Sequence, residues 1–186
     1  MFYGKAAHSS KINDGINAIC ACAKMIFFIE KNQKKYRLSS NCGVVNGGEV
    51  VNKVPDFAEL LFDIRSLYAK DVENFLVDIN RYINNLIVEY NGMSIDLKNN
   101  LKIPAFNMLN NEKLLNMSKK LNIRIGNFSG GCEAGYYSNY CGDCIIFGVG
   151  DLSLAHKPNE FVDVNEYGIY SNKLLEVLNC IKENYF

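Results

Sequence analysis

The sequence predicts an α+β chain. A four-stranded sheet carrying two helices comes first, in a ferredoxin-like split βαβ arrangement, and an incomplete α/β portion follows. Three observations predict this. Two long stretches carry apolar residues at helical spacing. Short strand-like runs flank them in the order strand, helix, strand, strand, helix, strand. After Pro104 the pattern changes to short elements with too few strands to close a sheet.

The elements can be justified in order. Phe2 and Tyr3 read as the tail of a strand that runs into the loop Gly4 to Ser10. An opening inside a strand, with no run-in, points to a truncated start. A helix is expected over about 15–34, with Ile16, Ile19, Ala23, Ile26 and Phe27 as its apolar stripe. Strands are expected over 41–47, ending at Gly47-Gly48, and over 57–64 after Pro55. The connector Asn52-Lys53-Val54-Pro55 is extended, because proline biases its predecessor that way. A second helix is expected from Asp71, read as its N-cap, to Tyr90, burying Val72, Phe75, Leu76, Ile79, Ile83 and Leu86. Asn91-Gly92 stops it, and 93–103 reads as the fourth strand.

Such a sheet has one face covered by its own helices. The other face or an edge needs a cover, for which a partner subunit is the natural candidate. The first domain is therefore taken as 1–104 and the second as 105–186. In the second, a helix is expected over 111–121 and a short strand over 123–125. Ser129-Gly130-Gly131 forms a bend opening a short helix over 132–140. A buried strand follows over 144–147. The last helix begins near Asn165, with Tyr167, Tyr170, Leu174, Val177, Leu178 and Ile181 inward.

The totals exclude several classes. Twenty basic and twenty acidic side chains cancel, so the basic footprint of a nucleic-acid binder is missing. No apolar run reaches the roughly 18 residues of a membrane span. Met-Phe-Tyr-Gly-Lys has no signal-peptide architecture, and the chain reads as cytoplasmic. Seven cysteines, an odd number, fit reduced thiols. Cys141-Gly-Asp-Cys144 has the spacing of a redox pair or half a zinc site. It is read in preference as ordinary cysteines near a buried strand, because a structural zinc site would want a second ligand pair.

The chemistry-bearing residues are few. The only histidines, His8 and His156, both sit in loops bearing Gly or Pro rather than on an apolar helical stripe. Imidazole is the commonest metal ligand and acid–base group near neutral pH. Spacing alone offers no HExxH and no HxH pair.

Six segments in order carry a resemblance. They are Gly4-Lys5-Ala6-Ala7-His8-Ser9-Ser10 with Gly15 to Ile19, and Gly47-Gly48 with Asn52 to Pro55. Asp63-Ile64-Arg65, Pro104-Ala105-Phe106-Asn107 and Gly130-Gly131-Cys132-Glu133-Ala134 follow, then Ala155 to Val162. Together they resemble the dimerisation domain and catalytic-domain tail of the M20 peptidases, which include acetylornithine deacetylases, succinyl-diaminopimelate desuccinylases, aminoacylases and glutamate carboxypeptidases.

The resemblance implies a homodimeric zinc amidohydrolase with two zinc ions, acting on small N-acyl amino acids or dipeptide-like substrates. It implies that His156 is a zinc ligand and that His8 acts across the dimer on the substrate carbonyl. Asn52 and Arg65 match positions that meet substrate polar groups. A guanidinium suits a carboxylate, although Arg65 reads equally as a strand-end surface residue. Gly130 and Gly131 match a substrate-carboxylate loop, or form a plain turn. Where the family has Thr-Asp or Ser-Asp after the glycines, this chain has Cys132-Glu133.

The family's HxD motif and Glu-Glu pair do not occur in this sequence. One imidazole cannot hold a catalytic zinc. The expectation is a chain that is inactive alone and needs a missing N-terminal catalytic segment, or else a non-catalytic dimerisation module descended from such an enzyme.

Overall fold

The structure is a computed structural model that describes residues 1–105, 111–128, 130–141 and 144–185. It divides into two compact units, Met1–Ala105 and Phe106–Phe186. Phe106, Asn107, Ser129, Gly142 and Asp143, which belong to expected motifs, lie outside the described residues.

The first unit runs β1 (Phe2–Tyr3), β2 (Ala7–His8), a 3-10 turn (Ser9–Asp14), α1 (Ala18–Asn32), a second 3-10 turn (Gln33–Tyr36), β3 (Ser39–Gly47), β4 (Lys53–Val54), β5 (Phe57–Arg65), α2 (Ala69–Glu89) and β6 (Ser94–Ile95). The main sheet has the order β3-β5-β1-β6, with every neighbouring pair antiparallel. This is the ferredoxin-like arrangement. β2 and β4 form a separate two-stranded ribbon that the sequence pattern did not reveal.

Alternation along β5 explains the layers. Ala58 and Leu60 are buried and Phe62 and Ile64 half-buried against the helices, while Phe57, Leu61, Asp63 and Arg65 face out. One core joins Phe2, Ala58 and Leu60 of the sheet to both helices. From α2 it takes Phe75, Ile79, Ile83 and Leu86 of the expected stripe, whose Val72 and Leu76 are only half-buried. Each such side chain stabilises the fold by about 1.5–3 kcal/mol through burial.

Several expectations need correction. α1 buries Ala18, Ala21, Cys22, Met25 and Ile29. Ile19, Ala23 and Phe27 of the expected stripe are exposed, Phe27 at 67 %. The helix carries two apolar rows about one residue apart in phase, and the sheet receives the row with the smaller residues at its start.

Asp71 is not an N-cap. α2 begins at Ala69 behind Tyr68, which makes no side-chain capping bond. Asp71 lies buried in the first turn, where Arg37 Nε donates to its Oδ2 at 2.9 Å and Arg37 Nη2 to its Oδ1 at 3.1 Å. A bidentate charge-assisted pair near a helix N-terminus outcompetes a single capping bond. The fourth strand shrinks to Ser94–Ile95, because β1, its partner, has only two residues to pair with.

The second unit contains α3 (Glu112–Lys120), α4 (Ala134–Tyr137), a 3-10 turn (Leu152–Leu154) and α5 (Val164–Tyr185). Asn111 Oδ1 accepts from Leu114 N at 3.0 Å and caps α3. Lys173 Nζ, on α5, donates to the Leu121 carbonyl at 3.1 Å just past the end of α3. Strands were expected over 123–125 and 144–147, yet both segments are irregular. An extended segment becomes a strand only by pairing, and neither has a ladder partner among the described residues.

Ile145 and Ile146 are exposed rather than buried. Phe147 packs on Tyr170, with ring centroids 5.1 Å apart. Along α5, Val177 and Cys180 are buried, whereas Tyr167 and Leu178, expected inward, are exposed.

Candidate functional site

The β2–β4 ribbon brings together residues more than forty positions apart in sequence. Ala7 pairs with Val54 and His8 with Lys53. Ser9 N donates to the Asn52 carbonyl at 2.9 Å, so His8 and Asn52, both singled out from sequence, are held on neighbouring segments. The ribbon is fastened at its base. Gly4 N donates to Asp56 O at 2.8 Å, and Lys5 and Ile16 exchange two backbone bonds of 3.0 and 2.8 Å. Ala18 N donates to Pro55 O at 2.9 Å. The result is an exposed imidazole on a backbone tied at both ends.

His8 also caps the following 3-10 turn. Its Nδ1 accepts from Ser10 N at 3.2 Å and lies 2.8 Å from Ser10 Oγ. Opposite it, Lys53 Nζ is paired with Glu49 at 3.1 Å and Asp56 at 3.3 Å. Hydrogen bonds to Glu49 and then Asp56 raise the Lys53 pKa. The Asp56 backbone N–H and Lys53 hold the Asp56 carboxyl below its ordinary value. The Lys53 charge is thus taken up by two carboxylates, which leaves one negative charge in surplus in this group.

Arg65 does not share this ribbon. It pairs with Ser39 at the far end of β5. Eight residues separate it from Phe57, about 25 Å at the usual rise of a strand. Its Nε donates to Asp63 Oδ2 at 2.5 Å, and both side chains are about half exposed.

In the second unit, α4 spans only Ala134–Tyr137, shorter than the helix expected over 132–140, and Gly130 and Gly131 lie ahead of it. A Cβ at Gly130 would meet the Phe128 ring at 2.5 Å, so this position admits only glycine unless the ring moves. Cys144 Sγ donates to Ala134 O at 3.6 Å. Burial pushes its thiol pKa up, with Cys141 and Cys132 adding to the effect.

His156 is exposed on a turn with φ of +63°, and Asn159 follows at +66°. His156 N donates to Glu160 Oε2 at 3.1 Å. The left-handed conformation costs a non-glycine residue roughly 1–2 kcal/mol, and the Glu160 bond helps hold it.

The sequence resemblance implies zinc, and the donor set tests that implication. Among the described residues no three His, Cys, Asp or Glu side chains gather where a cation would sit. A zinc centre takes about three protein ligands. The described residues do not make such a centre by themselves. Sequence reading missed Ser10 and the Glu49–Lys53–Asp56 group. The signal available for Ser10 was its place two residues after a histidine at the head of a turn.

Comparison with known proteins gives these positions a family. Residues 1–91 match the family model of the peptidase dimerisation domain of M20 enzymes. An uncharacterised metallohydrolase of Methanocaldococcus jannaschii is 32% identical over 177 residues, which cover 89% of this chain and 48% of that protein. The chain belongs to the M20 peptidase family. The acetylornithine deacetylase of Photorhabdus laumondii is 26% identical over 197 residues, covering 97% of this chain and 51% of that one.

Among solved structures, aminopeptidase PepT from Bacillus cereus shares the fold. Its TM-score is 0.78 at 21% identity, covering 97% of this chain and 50% of PepT. The sequence similarity to the Methanocaldococcus and Photorhabdus proteins runs beyond residue 91, and the named relatives are hydrolases. The chain spans about half the length of these relatives. No helix among its described residues is long and apolar enough to cross a membrane.

Proposed function

We propose that the chain contributes to a metal-dependent amide hydrolase of the M20 type, acting on small N-acyl amino acids or dipeptide-like substrates. In this reading residues 1–104 form the dimerisation domain and 105–186 the closing part of the catalytic domain. One observation above the others supports it: an exposed His8 imidazole stands on a ribbon tied to Asn52 within a dimerisation domain. From there His8 of one protomer donates a hydrogen bond to the scissile carbonyl in its partner's site. As the carbonyl carbon becomes tetrahedral its oxygen gains charge and that bond strengthens. A donor of this kind is worth about 10²–10³ in turnover.

Asn52 offers its amide to the same substrate. The backbone amides of Gly130 and Gly131 hold a substrate carboxylate. Arg65, at the far end of β5 from the ribbon, offers its guanidinium to a substrate carboxylate. His156 supplies one imidazole to the zinc centre. The other ligands and the carboxylate base are supplied from outside these 186 residues, and the chain alone is inactive.

The homodimer forms along β3, whose outer edge is open in the sheet order and whose Val44 and Val45 are over 40 % exposed. Seven free thiols fit a reducing, cytoplasmic setting. A second reading, a non-catalytic dimerisation module, is favoured by the lack of HxD and Glu-Glu in the sequence.

Joining the chain to the first half of the Methanocaldococcus relative tests both readings. The first expects about two zinc ions per chain and hydrolysis of at least one N-acetyl or N-succinyl amino acid. His8→Ala should then cut kcat by about 10²–10³ with zinc content unchanged, and His156→Ala should lower zinc occupancy. A stable dimer with neither zinc nor hydrolysis would select the second reading. A His8→Ala enzyme at full rate would remove the cross-subunit role. Sedimentation of Val44→Lys should show monomer, and an unchanged dimer would place the interface elsewhere.

A further inference from the structure

We infer that Ser10 is a positioning residue that fixes His8 in the single neutral tautomer carrying its proton on Nε2. The inference rests on the reading of His8 as a donor to the substrate carbonyl. The geometry carries it. A backbone N–H can only donate, so the Ser10 N–H, 3.2 Å from Nδ1, requires a lone pair there. With Nδ1 an acceptor, the proton of the neutral ring is on Nε2. The Ser10 hydroxyl, 2.8 Å from the same nitrogen, must then donate as well, and the two bonds share one acceptor.

The arrangement follows from the turn. Ser9 to Asp14 form a 3-10 turn whose first amides have no partner inside it. Ser9 N is taken by the Asn52 carbonyl. The next amide, Ser10 N, goes to His8, whose extended backbone at φ −69° and ψ 142° lets the ring fold back as a capping aspartate or serine would. The pairing of His8 with Lys53 prevents the backbone from following the ring. One nitrogen is therefore consumed by the chain's own turn, and the opposite one points out as an N–H. A residue required to donate to a carbonyl oxygen needs this protonation pattern, because the other tautomer would present a lone pair to a lone pair.

The test is long-range proton–nitrogen NMR of the chain itself, well above the ordinary imidazole pKa of about 6.5. Only two histidines are present, so comparison with His156→Gln assigns both rings. In the native chain Nδ1 of His8 should resonate as a pure acceptor and Nε2 as fully protonated, beyond the averaged positions of the urea-unfolded chain. Ser10→Pro, which removes the N–H, should move both nitrogens towards those averages. Ser10→Ala, which keeps it, should move them less, and Ser10→Thr should restore the native pattern.

A protonated Nδ1, or native nitrogen shifts equal to the unfolded averages, overturns the inference without any variant needing to fold. Should the tautomer be as stated while His8→Ala turns over at full rate in the completed enzyme, the catalytic reading fails and the positioning stands. A His8→Ala defect with an averaged tautomer means the reverse: the catalytic reading stands and the positioning fails.

Discussion

Gly15→Ala should loosen the ribbon that carries His8. Gly15 lies beneath it. A Cβ there would stand 2.9 Å from the Ala7 methyl, 2.9 Å from the Lys5 carbonyl oxygen and 2.9 Å from Val54 Cγ1. Ordinary contact begins near 3.4 Å, so the methyl is short by about 0.5 Å on three sides at once. Two of the three neighbours cannot rotate away, one being a backbone oxygen and the other an alanine methyl. The Lys5 oxygen is also held by Ile16 N at 2.8 Å. Overpacking of this kind costs roughly 1–3 kcal/mol. The lower entropy of the unfolded alanine chain returns about 0.4–1 kcal/mol.

The expected net loss is about 1–2 kcal/mol. With urea slopes of about 1–3 kcal/mol per molar, the midpoint seen by far-ultraviolet circular dichroism should fall by roughly 0.3–2 M. The variant should also weaken the Ser9–Asn52 bond, seen as faster exchange of the Ser9 amide. A midpoint equal to or above that of the parent chain would refute the claim that Ala7, Lys5 and Val54 close tightly around this position.

Gly168 lies exposed inside α5, and a methyl added there would have no atom within 4 Å, so Gly168→Ala should stabilise the second unit by about 0.5–1 kcal/mol, read from its melting curve. The Asp78 carboxyl is held below its ordinary pKa by a hydrogen bond from Tyr36 and then one from Lys35. Its folded value lies under its unfolded one, so its contribution is whole above the unfolded pKa of about 3.9 and fades as pH falls below it. Asp78→Asn should therefore flatten the acid limb of urea midpoints against pH, with parallel limbs the contrary outcome. Cys20 and Cys141 are exposed, while Cys22 and Cys180 are buried and burial raises the Cys22 pKa. Ellman's reagent should label the first two rapidly and the last two only on unfolding. A mild oxidant that removed the Cys141 signal would revive the Cys141–Cys144 redox pair.

How far the sequence could be read varied from element to element. α2 was legible because most of its apolar residues fall on one stripe, Val77 and Val88 apart, and only one helix face could bury Phe75, Ile79, Ile83 and Leu86. α1 was not, because Ile19, Ala23 and Phe27 compete with Ala18, Cys22 and Met25, and periodicity cannot choose between adjacent rows. Asp71 has the chemistry of a cap, yet Arg37, thirty-four residues earlier, claims its carboxylate. The sequence by itself determined the order of the four main-sheet strands and their two helices, and with it the ferredoxin-like layer, since hydrophobic period and turn residues are local properties. It also determined that only two imidazoles, His8 and His156, are present to do chemistry. The tertiary structure alone decided that His8 pairs with Lys53 on the segment next to Asn52, that Arg65 stands at the far end of β5, and that Ser10 takes one imidazole nitrogen. Those are hydrogen-bond pairings set by chain reversal and strand register, and no local pattern of residues encodes which backbone groups will meet.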